Sequence, residues 1–167
     1  MYNASLLDSA MGSELIRRKQ SLPIHIWSAH SNLNNPELVY QIHMDNIKAG
    51  SNIITANTFR ATPRTYAKTG LTKKDAECQA LASFQSAVHI ARKAANKNIM
   101  VLGSIAPLED CYSPELFPGS AVALNEFSQL GDWMQDAGVD GIILETMNSI
   151  SETCIALEAL SPFNIPL

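Results

Sequence analysis

Four short apolar runs alternate along the chain with longer stretches in which apolar residues recur every three or four positions. The runs are ASLL at 4–7, NIITA at 52–56, IMVLG at 99–103 and GIILE at 141–145. Their Ile, Val and Leu residues follow one another without polar alternation, which is typical of strands buried on both faces. We therefore predict four strands of a parallel sheet. A further run, FNIPL at 163–167, predicts the beginning of a fifth strand.

The stretches between these runs predict four helices with recognisable ends. The first begins at Pro36, with Asn35 expected as its cap, and ends at Gly50. The others cover 73–96, about 121–137 with Gly138 beyond it, and about 151–160. Strand–helix alternation of this kind predicts an α/β fold with right-handed crossovers, either an open doubly wound sheet or a (β/α) barrel.

Length and composition narrow the class of protein. A chain of 167 residues that is 46% hydrophobic is long enough for one domain with a proper core, and we find no linker-like segment, so we expect a single domain over 1–167. The formal charge of −4 comes without a basic stripe, which argues against nucleic acid as a partner. Neither a membrane span of roughly 18 apolar residues nor a secretory signal is present, so we expect a cytoplasmic protein without a membrane partner.

The three cysteines favour reduced thiols. They are Cys78, Cys111 and Cys154, an odd number without a C-x-x-C pair, which argues against a disulfide framework or a local zinc knuckle. Cys78 and Cys154 fall within predicted helices and are expected to be small buried side chains. Cys111 follows the third strand as a single thiol, so we predict no metal site within this chain. The four dispersed histidines are expected to be packed or solvated imidazoles.

The residues that follow the strands are the candidate functional residues, because reactive groups in parallel α/β folds lie at the carboxyl ends of the strands. Two carboxylates, an amide and several hydroxyls are expected to face one rim. A small zwitterion with an ammonium group would suit Asp8 and Glu145. The strand exits read Asp8-Ser9-Ala10, Asn57-Thr58-Phe59-Arg60, Ser104-Ile105-Ala106 and Glu145-Thr146-Met147.

Five segments, in order along the chain, carry a family resemblance. LLDSAMGSEL, IWSA, NNPELVYQIHMDNIKAGSNIITANTFRA, VLGSIAPL and DGIILETMNSISETCIALEAL together resemble the N-terminal part of the homocysteine S-methyltransferase family. The resemblance implies a TIM-type (β/α)8 barrel, of which this chain holds about four strand–helix units and the start of a fifth strand. It also implies a zinc ion that holds homocysteine as its thiolate, ready to attack a small methyl donor.

The same resemblance assigns expected roles to individual residues. Asp8 and Glu145 correspond to the acids that bind homocysteine, and the backbone N–H groups at 9–11 would face its carboxylate. Trp27 corresponds to an aromatic residue on the methyl-donor side. Arg60 stands where betaine-dependent members carry a tyrosine, which argues against a quaternary ammonium donor. The expected substrate-binding set is Asp8, Ser9, Ala10, Asn57, Thr58 and Glu145.

The family's zinc cysteines correspond to positions beyond Leu167, which leaves the chain with several possible functions. It is expected to supply the amino-acid-binding half of a homocysteine S-methyltransferase and to be inactive by itself. Alternatively, it is a non-catalytic half-barrel that binds ligand or self-associates through open barrel edges. A third reading is a different α/β enzyme that uses the rim carboxylates as acid and base.

Overall fold

The computed structural model describes residues 5–167. Three parallel strands, β1 (Ile53–Ala56), β2 (Met100–Ile105) and β3 (Gly141–Leu144), pair in the order in which they occur along the chain. Ile53 lies opposite Met100, and Leu102 lies opposite Gly141. The predicted α/β class is confirmed, and the second, third and fourth predicted strands agree with β1, β2 and β3 to within two residues.

The two outer predicted strands are largely not formed. At the β1 edge, an isolated parallel bridge joins Leu7 to Ile53, and residue 4 lies outside the described residues. The prediction of a fifth strand at 163–167 is wrong, because residues 163–165 form bends and residues 166–167 have no regular secondary structure. One hydrogen bond, from the Ile142 N–H to the Pro166 carbonyl at 2.8 Å, joins the segment to β3. Pro166 has no N–H to continue a ladder.

Helices cover the strands in the expected alternation. The four predicted helices are confirmed with small shifts of their ends, and short helices too brief to show a periodicity are added. In the described residues the α-helices are α1 (Met11–Arg17), α2 (His30–Asn34), α3 (Pro36–Lys48), α4 (Pro63–Ala67), α5 (Lys73–Ala94), α6 (Ser120–Ala137) and α7 (Ile150–Leu160). None of them is long and apolar enough to cross a membrane.

The helix ends show which capping signals operate. Gly138 adopts the left-handed conformation, with φ of 70°, and ends α6 as its position predicts. The expectation that Asn35 caps α3 is wrong, because its side-chain amide donates to Gln20 Oε1 at 3.1 Å and makes no cap bond. The hydroxyl of Ser149 accepts a hydrogen bond from the Glu152 N–H and caps α7.

The main core lies between the sheet and helices α5, α6 and α7. Phe84 on α5 and Phe127 on α6 are the largest of its fully buried side chains. Phe84 meets Trp133 edge to face, with ring centroids 5.4 Å apart and an interplanar angle of 68°. This layer fixes the strands from outside, so that the strand ends can present polar side chains at the rim.

Asp140 joins α5 to the sheet just before β3. Its carboxylate accepts hydrogen bonds from Arg92 at 2.7 and 2.8 Å and from the Val101 N–H at 2.7 Å. The hydrogen bond from Arg92 holds the pKa of Asp140 below its ordinary value, although partial burial opposes that shift. A carboxyl with a lowered pKa stabilises the fold above its unfolded pKa of about 3.9 and loses this contribution as the pH falls through the folded pKa.

We expect Asp140→Asn to lower the free energy of unfolding at neutral pH by up to about 1 kcal/mol, because the paired side chains of Arg92 and Asp140 are 34% and 37% exposed. Urea unfolding at pH 7 and at acid pH measures the effect. The difference between the wild-type protein and the variant should shrink as the pH falls below 4, whereas Asp132→Asn, at an exposed position of α6, should change little. A difference that is constant with pH would contradict this account.

Candidate functional site

A cleft of about 520 Å³ opens at the carboxyl ends of the strands. Because the strands are parallel, the residue after each strand lies on this same rim. The structure brings six of the predicted residues to the cleft. They are Asp8, Ser9, Ala10, Trp27, Asn57 and Glu145.

Asp8 is held tightly at one side of the cleft. Its N–H donates to the Ile53 carbonyl at 3.1 Å, which continues the pairing of Leu7 with β1. Its Oδ2 accepts from the Thr55 N–H at 3.0 Å and lies 3.8 Å from His43 Nδ1. The side chain is only 4% exposed. A nearly buried carboxylate with a single backbone donor is incompletely compensated, so a cationic ligand group would be stabilised beside it.

Glu145 follows β3 directly and lies across the cleft. Its N–H donates to the Ile105 carbonyl at 2.9 Å, and the Ser104 hydroxyl donates to its Oε2. Within residues 5–167 no Lys or Arg side chain forms a salt bridge with it. The next residue, Thr146, has φ of 54°, so the chain turns sharply just after the carboxylate. Glu145 thus offers a second carboxylate that no Lys or Arg of residues 5–167 neutralises.

The segment at 9–10 lies against α3. The N–H and hydroxyl of Ser9 both donate to Asn46 Oδ1, at 3.4 and 2.9 Å. Ala10 precedes α1, a helix of seven residues. The Ser9 N–H is therefore engaged within the protein, which leaves the N–H groups of Ala10 and Met11 as the better candidates for a ligand carboxylate.

Asn57 and Thr58 have supporting positions. The Asn57 amide accepts from the Ser28 hydroxyl at 2.6 Å and donates to the Ser28 carbonyl at 2.8 Å and to Asn32 Oδ1 at 2.7 Å. Thr58 does not line the cleft, because its buried hydroxyl donates to the Ser104 carbonyl at 2.7 Å and accepts from the Ser104 N–H at 2.9 Å. In the structure these two hydrogen bonds of Thr58 join the segment after β1 to β2, and direct contact of Thr58 with a ligand stays a prediction.

Trp27 forms an exposed wall of the cleft. It is 38% exposed and has φ of 45°, a conformation that a bulky residue adopts rarely. Its indole lies against Gly12 in the first turn of α1, where an added Cβ would be 2.4 Å from the indole Nε1. Gly12 is thus needed for the position of this ring.

We expect Gly12→Ala to displace the Trp27 indole from α1 and to raise its accessibility to solvent. Tryptophan fluorescence with acrylamide quenching measures this, because Trp133, the other tryptophan, is 9% exposed and should remain protected. Ser13→Ala, at the neighbouring exposed position, is the matched control. An unchanged emission spectrum and quenching constant in Gly12→Ala would show that the ring does not depend on Gly12.

Comparison with known proteins decides the family. The model of the family described as homocysteine S-methyltransferase matches residues 5–167. The chain belongs to the homocysteine S-methyltransferase family. The resemblance predicted from the sequence is therefore confirmed.

Relatives within this family differ from the chain in length. A homocysteine S-methyltransferase of Escherichia coli is 30% identical over 95% of this chain, which covers 54% of that protein. A betaine-homocysteine S-methyltransferase of Drosophila melanogaster is 26% identical over 76% of the chain and is covered over 44% of its length. The chain thus spans about half the length of these curated relatives.

A solved structure of the family supports the fold. The metallated form of the E. coli homocysteine methyltransferase MmuM is 29% identical, with a TM-score of 0.82, and the match covers 96% of this chain and 60% of that one. The arrangement of strands and helices described above is therefore that of the corresponding part of a homocysteine methyltransferase.

Residues 5–167 do not form a site for the zinc that a homocysteine S-methyltransferase is expected to hold. No group of three or more His, Cys, Asp or Glu side chains within residues 5–167 could hold a metal ion. Cys111 lines the cleft and is half-buried, but it is a single thiol. The expectation that Cys78 and Cys154 are buried is wrong, because both are exposed. Neither belongs to the cleft.

Two residues near Asp8 escaped the sequence analysis. Thr55 lies within β1 and supplies the backbone donor to Asp8, and its own buried hydroxyl has no partner in residues 5–167. His43 comes from the middle of α3 and is fully buried. The only sequence signal was its position in a helix that precedes a strand of the rim, and this does not reveal which way the ring points.

Proposed function

We propose that this chain supplies the amino-acid-binding half of a homocysteine S-methyltransferase, the enzyme that transfers a methyl group to the thiol of homocysteine and forms methionine. The observation that carries the proposal is the pair of carboxylates, Asp8 and Glu145, in one cleft without a Lys or Arg partner in residues 5–167. The ammonium group of an amino acid is a suitable counter-ion for such a pair.

In this proposal, binding of the ammonium group to the two carboxylates fixes the orientation of the rest of homocysteine. Its carboxylate would meet the backbone N–H groups at Ala10 and Met11, beside Ser9. Its thiol would extend toward the donor side of the cleft, where Trp27 forms a wall. Arg60 also lines the cleft, with its guanidinium donating to the Glu109 carbonyl at 3.0 Å and lying 5.4 Å from the Phe59 ring centroid. Because betaine-dependent members of the family carry a tyrosine at the position of Arg60, a quaternary ammonium is not the methyl donor that we propose.

The described elements belong, in this proposal, to a (β/α)8 barrel and to one domain over 1–167. The support is the strand order, because β1, β2 and β3 pair with their neighbours in sequence and the outer segments at Leu7 and Pro166 extend the same order. A doubly wound sheet would reverse its strand order at a switch point. The three free thiols suit the reducing cytoplasm, which we propose as the location.

Methyl transfer is proposed for the complete family enzyme, and the isolated chain is expected to be inactive because residues 5–167 bring no metal-binding set together. An assay with L-homocysteine, zinc and S-methylmethionine should yield no methionine above the rate without protein. Turnover by the isolated chain would contradict this part of the proposal.

The amino-acid-binding role is tested by calorimetric titration under reducing conditions. L-homocysteine is compared with 4-mercaptobutanoate, which keeps the thiol and the carboxylate and lacks the ammonium group. We expect the analogue to bind at least about tenfold more weakly, because it lacks the charged hydrogen bonds to Asp8 and Glu145. Equal affinities, or no binding of L-homocysteine, would overturn the proposal.

A binding or assembly module without metal is the second candidate function. It is favoured by the apolar side chains of Leu6 and Leu7 at the edge of the sheet, which are 52% and 41% exposed. The intact mass of the protein from its native source distinguishes the candidates. A mass of 18.2 kDa would favour the module, which could self-associate through this edge, and a mass near twice that value would favour the methyltransferase.

A further inference from the structure

His43 is a buried imidazole without hydrogen bonds beside the candidate ammonium site. Its side chain is 0% exposed, and neither ring nitrogen has a hydrogen-bond partner in residues 5–167. Leaving a buried polar group unpaired costs about 1–3 kcal/mol, so such a group requires an explanation. The nearest charged group provides one, since Nδ1 lies 3.8 Å from Asp8 Oδ2.

The distance is too long for a hydrogen bond but short enough to become one after a shift of about 1 Å. Hydrogen bonds in an active site are often long before a ligand binds and shorten in the complex. A neutral imidazole with its proton on Nδ1 would donate to Asp8 Oδ2. That oxygen already accepts from the Thr55 N–H at 3.0 Å, whereas Oδ1 receives no hydrogen bond from residues 5–167.

Helix α3 holds the same loop at a second point. Asn46 lies one turn after His43, and its Oδ1 accepts from both the N–H and the hydroxyl of Ser9. The Asn46 side-chain amide nitrogen is also buried without a partner in residues 5–167. One face of α3 therefore places two side chains with unsatisfied buried nitrogens, His43 and Asn46, beside the segment that carries Asp8.

We propose that His43 is a positioning residue for Asp8, an inference that rests on the proposed binding of homocysteine. Its Nδ1–H and the Thr55 N–H hold Asp8 Oδ2 from the protein side, which leaves Oδ1 to receive the substrate ammonium. When the ammonium binds at Oδ1, the 3.8 Å gap between Asp8 Oδ2 and His43 Nδ1 closes into a hydrogen bond. His43 does not touch the substrate itself.

The test compares three proteins that differ at position 43. His43→Phe keeps a planar ring and removes both nitrogens, so we expect L-homocysteine binding to weaken about tenfold while the midpoint of urea unfolding is retained or raised. His43→Asn places an amide N–H₂ group near the position of Nδ1 and should restore most of the affinity. A purely structural role would lower the unfolding midpoint of His43→Phe and would not be rescued by asparagine.

The controls separate this inference from the proposed function. Binding of 4-mercaptobutanoate, which has no ammonium group, should be the same in the wild-type protein and in His43→Phe. If the wild-type protein binds L-homocysteine and His43→Phe binds it equally well, only the role of His43 is overturned. If the wild-type protein does not bind, the proposed function fails first. Should His43→Phe not fold, His43→Leu is measured against the same criteria.

Discussion

Replacement of Asp8 by asparagine, or of Glu145 by glutamine, is expected to weaken L-homocysteine binding by about 10- to 100-fold. Each substitution keeps the size of the side chain and removes one negative charge from the cleft that both residues line. Hydrogen bonds to charged groups contribute about 1.5–3 kcal/mol, which corresponds to this range of affinity. Calorimetric titration of the purified variants provides the measurement.

Asp110→Asn is the matched control for this experiment. Asp110 lines the same cleft, and its Oδ1 accepts from the Tyr112 N–H at 2.9 Å, so the substitution removes the same charge from a different part of the rim. We expect its affinity to stay within about twofold of the wild-type value, because an exposed charge is screened by solvent. An equal loss in all three variants would indicate a general electrostatic effect and would remove the specific roles of Asp8 and Glu145.

Phe84→Ala is expected to lower the free energy of unfolding by about 3–5 kcal/mol. Phe84 is 1% exposed, packs edge to face on Trp133, and lies where α5 meets α6. Its removal leaves a cavity that the surrounding helices can fill only in part. Urea unfolding monitored by circular dichroism measures the loss.

Two further substitutions provide reference values for this loss of stability. Phe84→Leu should cost less than Phe84→Ala, because most of the volume is kept. Leu157→Ala, at a position that is 43% exposed on α7, should change stability by less than about 1 kcal/mol. A loss in Phe84→Ala no larger than that in Leu157→Ala would mean that the core is not centred on the contact between α5 and α6.

The predictable part of the fold is the part with a long periodic signal. Helices α5 and α6 were found from their apolar spacing, whereas α2 and α4 have five residues each and show no measurable period. The spacing of the apolar residues in α5 also argues against a buried Cys78. Cys78 lies two positions from the buried residues Ala76 and Ala80, and therefore on the opposite face of the helix. The apolar residues of 163–167 favour a strand, whereas Pro166 has no N–H with which to continue the pairing.

Within the candidate site, the sequence predicts the location of only those residues that directly follow a strand. Asp8 and Glu145 each directly follow a strand-like segment, so the rule for parallel sheets brings both to one rim. Thr58 also follows a strand, yet its hydroxyl bonds to the Ser104 backbone, a contact that depends on the register between β1 and β2. His43 reaches Asp8 through the rotation of α3 about its axis, which only packing determines.

The most direct test of the central claim is a crystal structure of this chain with L-homocysteine at a concentration that saturates the titration. We predict the ligand in the cleft at the strand ends, with its ammonium nitrogen about 2.7–3.2 Å from a carboxylate oxygen of both Asp8 and Glu145. Density for the ligand elsewhere, an empty cleft at saturation, or an ammonium group directed away from both carboxylates would contradict the account.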